Sequence, residues 1–328
     1  MAGLPSAAPT EERTGVALVL AATRISQAVC CGVRTGGFLG TVLSVHRSVV
    51  NISSGGRLVT LAGTTAGGLP NGVMLATETP LDRIGVRPGM RVIGDGELLA
   101  IPEAGVTISL SAAAGWSPVM PVLQQLSRST QRYRLDSSLD LARDTAPEAG
   151  LGPLLVALSC PHPPADSMLV RTVATHLADL LEALHRDDAI GATLAAAPLI
   201  GLGPGATPSG DDLLVGLLAG LTASRHATAV PFGRSVGALA RGRTTTVAEA
   251  FLLHAGRGEF AERVHTAAHG LLDAAESRRQ AAVSSALRWG ASSGADLLLG
   301  LLLGLQVDRI GLAERVRHAA GRRSEAAA

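Results

Sequence analysis

The chain has 328 residues, a formal net charge of +1, 47% hydrophobic and 17% charged residues, the balance of a globular protein of about two domains that can bury a core without disulfide or metal staples. No block of like charge is present and only seven residues are aromatic, which excludes the electrostatic footprint and the stacking platform of a nucleic-acid binder. All 28 basic residues are arginine and none is lysine, so Schiff-base chemistry, pyridoxal-phosphate enzymes and a Walker lysine are excluded.

The N-terminus opens Met-Ala-Gly-Leu-Pro and continues to Glu11-Glu12, without the basic lead of a secretory signal. Residues 10–28 read as a helix on the recurrence of Val16, Leu18, Leu20, Ile25 and Val29. Residues 1–34 are therefore expected as an N-terminal helical segment. Cys30, Cys31 and Cys160 form no C-x-x-C pair and read as reduced thiols of a cytoplasmic protein.

From about Gly36 the pattern changes to strands. Residues 41–46 and 48–52 are β-rich, and Ser53-Ser-Gly-Gly56 joins the latter to Arg57–Leu61 as a hairpin. Further strands are expected at 73–77, 90–93, 97–101 and 106–110, separated by glycine and proline. This spacing predicts a small barrel or sandwich over residues 35–118.

Beyond Trp116-Ser-Pro118 the sequence reads as a larger all-helical domain over 119–328, making the fold class α+β. Helices are expected at 119–131, 137–144, 165–186, 209–224, 233–241, 245–257, 259–278, 279–289, 293–305 and 309–321. The longest apolar runs, 213–221 and 297–305, are too short to span a bilayer, which needs roughly 20 residues.

The helical half contains an echo. Residues 209–221 and 293–305 are identical at ten of thirteen positions at an offset of 84, including Ser-Gly-x-Asp starts and aligned glycines. This predicts two equivalent helices, related by a pseudo-twofold axis. Gly216, Gly220, Gly300 and Gly304 recur at i, i+4. Glycine costs about 1 kcal/mol inside a helix, so these four read as sites of close backbone packing.

The densest chemical signal is Gly201-Leu-Gly-Pro-Gly-Ala-Thr-Pro-Ser-Gly-Asp-Asp212. Gly203 and Gly205 let a ligand approach the backbone. Ser209 reads as the N-cap of the following helix, with Gly210, Asp211 and Asp212 in its first turn. A glycine-rich loop feeding a helix start is a general anion site. Thr207 lies in the same loop, and Ser293, Gly294 and Asp296 repeat the pattern. Arg241, Arg243, Thr244 and Thr245 either cap a helix or hold a carboxylate or phosphate. His265 and His269, one turn apart, read as an exposed pair, and no metal site is expected. Asn51 ends a strand as an open candidate.

The motif over 201–216 resembles the signature of the AllH-like family, whose members include a subunit of bacterial oxamate carbamoyltransferase. Thr41 to Ile52, Thr244-Thr245 with Leu252, Ala255 and Gly258, and Ser292-Ser-Gly-x-Asp296 resemble further family segments. Departures stand at Ala206, Ala248 and Ala295. The resemblance implies carbamoyl transfer between a ureido acid (oxalurate) and phosphate, on a small anionic substrate, without a cofactor. It also implies an assembly with other carbamoyltransferase subunits; further copies of the chain are an additional expectation, and the charge, aromatic count and short apolar runs leave nucleic acid and membrane out as partners. In such a site the amides of the 203–210 loop and of Ser293-Gly294 would stabilise an oxyanion. Arg241 or Arg243 would hold a carboxylate. Asp212 and Asp296 would orient N–H groups or act as base, with Asp211 and Ser209 beside them. The alternatives are a standalone member diverted to another amide, ureido or acyl reaction, and a non-catalytic metabolite-binding or scaffolding subunit.

Overall fold

The computed structural model describes residues 18–159, 167–319 and 321. Nine strands come first: β1 Leu18–Ser26, β2 Phe38–Val45, β3 Val49–Ser54, β4 Arg57–Ala62, β5 Gly72–Leu75, β6 Arg91–Gly94, β7 Leu98–Ile101, β8 Val106–Ser109 and β9 Ala114–Trp116. One helix, α1 Gln27–Arg34, is inserted after β1. Several strands alternate buried with half-buried or exposed positions, as in Val106–Ser109 and Arg91–Gly94, so that one face fills an interior. The sheet runs β5-β4-β3-β2-β6-β7-β8-β1, and β1 pairs back onto β5 to close an eight-stranded barrel. β9 adds to the end of β1. The barrel core includes Ile25, Ile52, Leu61, Leu75, Leu99 and Ile108.

The α+β expectation, a small β-barrel domain followed by a larger helical one, is what the structure shows. The helix expected over 10–28 is not: residues 10–17 lie outside the described residues, and 18–26 form β1, with helix only from Gln27. The apolar positions 18, 20, 22 and 25 serve a strand as well as a helix. Tertiary pairing decides, because β1 bonds to β8 through its first half and to β5 through its second.

The helices that follow are α2 Arg128–Arg143, α3 Gly152–Ser159, α4 Met168–His185, α5 Ala189–Ala196, α6 Ser209–Ala223 and α7 Ala229–Leu239. After them come α8 Thr246–Ala255, α9 Glu262–Leu271, α10 Glu276–Leu287, α11 Ser293–Gly304 and α12 Leu312–Ala319. Residues 119–127, expected as helix, have no regular structure beyond a bridge from Val119 to Glu259. Pro118 and Pro121 oppose helix there, and the segment is pinned by Met120 N–H donating to Gly258 and Phe260 N–H donating to Pro118. Cys160 and the prolines at 161, 163 and 164 lie outside the described residues.

α6 and α11 are apolar all round, the signature of central helices, and both are buried along nearly their whole length. They run parallel with their starts at the same end. A Cβ added at Gly216 would sit 2.0 Å from the Leu297 carbonyl oxygen, and one at Gly300 would sit 2.0 Å from that of Leu213. The barrel docks against this bundle. Arg24 donates two hydrogen bonds, of 2.8 and 2.7 Å, to Glu262. Glu262 also accepts from Gly68 N–H, and Trp116 stacks on His265.

Candidate active site at the paired helix starts

The parallel packing of α6 and α11 brings the two Ser-Gly-x-Asp starts together. Thr207 and Ser293 hydroxyls lie 2.9 Å apart. The Ser293 and Thr207 hydroxyls approach the Asp212 carboxyl, and the Ser209 and Ser292 hydroxyls approach that of Asp296. Each serine of one helix thus meets the acid of the other, Ser209 with Asp296 and Ser293 with Asp212.

Both acids are buried, and the Oδ2 of each has no hydrogen-bonding partner. Burial pushes the Asp212 carboxyl up to about 7, helped by the nearby charge of Asp296 and opposed by the hydroxyls and by Arg263. Burial raises Asp296 to about 6, opposed by the Leu151 amide and its serines. Asp212 is therefore poised to exchange a proton near neutral pH.

The two halves differ in cover. Leu151 N–H donates to Asp296 Oδ1 at 2.6 Å, and a Cβ on Gly150, whose φ is +60°, would strike the same carboxylate. Asp296 is sealed beneath that loop. Asp212 instead lines a cavity of about 170 Å³ with Thr207, Ser293, Arg263, Phe251, Phe260 and Trp289 among its walls. Pro70 brings the barrel to the same cavity.

Arg263 was invisible to the sequence reading. Its guanidinium lies 4.9 Å from the Trp289 ring centroid. Arg263 is exposed over a good part of its surface; desolvation of the rest draws its pKa below the usual arginine value, the Asp212 charge acts the other way, and it remains a cation. Among the described residues no acid forms an ion pair with it. Its local sequence, Ala-Glu-Arg-Val-His, is an ordinary amphipathic helix start; the signal lies in space, through Trp289 and Asp212.

Other expected residues have different places. Ser209 is not the N-cap of α6: Pro208 holds that position with extended backbone, and Ser209 is already helical with its hydroxyl near Asp296. The amides of Gly210 and Gly294, expected to face a ligand, donate to the carbonyls of Leu202 and Trp289. Gly203 and Gly205 adopt positive φ, and the loop they shape folds on its own helix, with Ser209 N 2.9 Å from the place a Gly203 Cβ would take. Asp211 faces away from the cavity: its carboxylate accepts from Gly201 N–H and from the Thr244 hydroxyl. Thr245 caps α8 and donates to the Ala206 carbonyl.

Arg243 donates to the Ala197 carbonyl. Arg241 lines a separate cleft with Arg57 and Glu249. Neither lines the Asp212 cavity. Asn51 sits in the barrel wall, where it accepts from Thr60 and donates to Ser44. His265 bonds to the Pro118 carbonyl, and among the described residues no His, Cys, Asp or Glu cluster forms a metal site. No helix among them is long and apolar enough to cross a membrane.

Comparison with known proteins covers both halves of this arrangement. Residues 199–305, from the glycine-rich loop to the end of α11, match the family model described as oxamate carbamoyltransferase subunit AllH. Residues 21–115 match the AllH family N-terminal domain. No solved structure matches the chain. With the barrel and the paired helices both matched, over more than half of its length, the chain belongs to the AllH family.

Proposed function

We propose that the Asp212 cavity is the substrate site of a carbamoyl-transferring enzyme or enzyme subunit, acting on a small carboxylate that carries an amide or ureido nitrogen. One observation carries this reading: a buried carboxyl poised near neutral pH shares a cavity with a guanidinium that, among the described residues, forms no ion pair. Arg263 holds the substrate carboxylate, and Trp289 fixes the guanidinium plane. Asp212 handles the proton on the reacting nitrogen.

In the direction that consumes a ureido acid, a phosphate oxygen bonds to the carbamoyl carbon. The bond from that carbon to the acid's nitrogen breaks, and the nitrogen takes a proton from Asp212. In reverse, the Asp212 carboxylate removes a proton from the attacking amide nitrogen, and phosphate departs. Ser293 and Thr207 orient the Asp212 carboxyl, and burial, with Asp296 nearby, keeps its proton affinity high.

Carbamoyl phosphate formation from oxalurate and phosphate tests the reading, with the chain assayed alone and with the other subunits of an oxamate carbamoyltransferase. Asp212→Asn is expected to lower kcat about 10²-fold or more. Arg263→Gln is expected to raise KM. Unchanged kinetics in both variants would remove the cavity from the mechanism. The engaged amides of Gly210 and Gly294 favour a second reading, a metabolite-binding subunit whose oxyanion donors come from a partner. Turnover by the chain alone excludes it.

A further inference from the structure

The rest of the cavity wall says what else the substrate carries. Three of the chain's seven aromatic residues, Phe251, Phe260 and Trp289, line this one small space, and Val215, Val264 and Leu297 complete its apolar side. The polar side is largely spoken for. Thr207 and Ser293 bond to each other, and Glu259 accepts from Arg257 and pairs with His254 at 2.6 Å. Asp212 and Arg263 are left to meet a ligand.

A ligand with several adjacent carbonyls, such as oxalurate, finds few donors along the apolar side of this wall, and each polar group buried there unpaired costs about 1–3 kcal/mol. An apolar group loses nothing there. A cavity of about 150 Å³ lined by aliphatic and aromatic side chains suffices for a benzene-sized guest, and this one measures about 170 Å³.

We infer that the substrate of this chain is an N-carbamoyl or amide-bearing monocarboxylate with an apolar side chain of ring or branched-aliphatic size. The inference rests on the reading of the Asp212 cavity as the substrate site and narrows it. The carboxylate lies on Arg263, the nitrogen at Asp212, and the apolar group against Phe251 and Trp289.

Calorimetric titration of the full chain with two probes, N-carbamoylglycine and N-carbamoylvaline, tests it. They share the ureido and carboxylate groups and differ only in an isopropyl group. The valine compound is expected to bind roughly tenfold tighter or better, the worth of a few buried carbons in an apolar pocket. Arg263→Gln weakens both probes. Phe251→Gln, at a half-buried position, is expected to reduce the preference for the valine compound.

Equal affinity for the two probes, or a preference for the glycine compound, overturns the inference. If Arg263→Gln still weakens both in that case, the cavity reading survives without it. If Arg263→Gln changes neither affinity, or neither probe binds at millimolar concentration, the cavity reading falls as well.

Discussion

Gly216 and Gly300 make the same contact with each other's helix: each is pressed to the carbonyl of the residue three places before its counterpart, Leu297 for Gly216 and Leu213 for Gly300. Gly220 and Gly304 continue the seam, each next to the backbone of the other. This closeness sets the span between the two helix starts, and with it the reach of Ser293 to Asp212 and of Ser209 to Asp296.

Alanine at position 216 or 300 therefore has nowhere to put its methyl group without parting the helices. Overpacking costs about 1–3 kcal/mol or more, against a propensity gain of about 1 kcal/mol. Urea unfolding is expected to show a net loss of about 2 kcal/mol for either variant. Gly32→Ala, in α1 with open space around it, should be neutral or slightly stabilising. Equal stability of all three variants would contradict the tight seam.

The buried acids make stability depend on pH in a stated direction. Unfolded, both carboxyls ionise near pH 4. Folded, Asp212 and Asp296 ionise at about 7 and about 6. Between these values the folded chain keeps protons that the unfolded chain has lost, so their contribution falls as pH rises from about 4 to about 7 and is level above that. Asp212→Asn removes one such group. Relative to the native chain it should gain stability between pH 5 and pH 8, by roughly 3 kcal/mol at most. Paired urea titrations at the two pH values measure it.

The adjacent acids 211 and 212 should separate cleanly. Asp211 fastens the glycine-rich loop and the threonine segment to α6 through Gly201 and Thr244. Asp211→Ala leaves two half-buried donors without their acceptor and is expected to lower stability by about 1–2 kcal/mol. Asp212→Asn should leave the fold intact and remove turnover. Thermal melts set beside activity of the same preparations distinguish the two. Similar melting losses in both variants would count against the division of labour.

Asn51 links β3 to neighbouring strands through Ser44 and Thr60, and Asn71 donates to the same threonine. Asn51→Ala should cost about 1–3 kcal/mol while any KM measured in the proposed carbamoyl-transfer assay stays constant. A changed KM at unchanged stability would return Asn51 to the substrate site.

The architecture was legible where the pattern was periodic and repeated. The 84-residue echo announced the helix pair, because glycine inside an apolar helix has few uses other than close approach. The hairpin over 48–61 followed from Ser53-Ser-Gly-Gly56, which the structure turns between β3 and β4. β1 was read as helix because an alanine-rich stretch satisfies both periods and only its barrel neighbours choose. At the site, Asp212, Asp296, Ser209 and Ser293 declared themselves through the echo. Arg263 could not. It belongs to α9, its partner ring follows 26 positions later at Trp289, and no local spacing joins them. Arg241 and Arg243 drew attention because they adjoin a threonine cluster, but proximity in sequence placed them on another surface.

The roof that Gly150 and Leu151 lay over Asp296 breaks the likeness of the two halves. Two helix starts related by a twofold rotation would offer two congruent berths of the same hand. With the Asp296 berth roofed, only Asp212 borders the cavity, so a copied pair of helix starts yields a single asymmetric pocket.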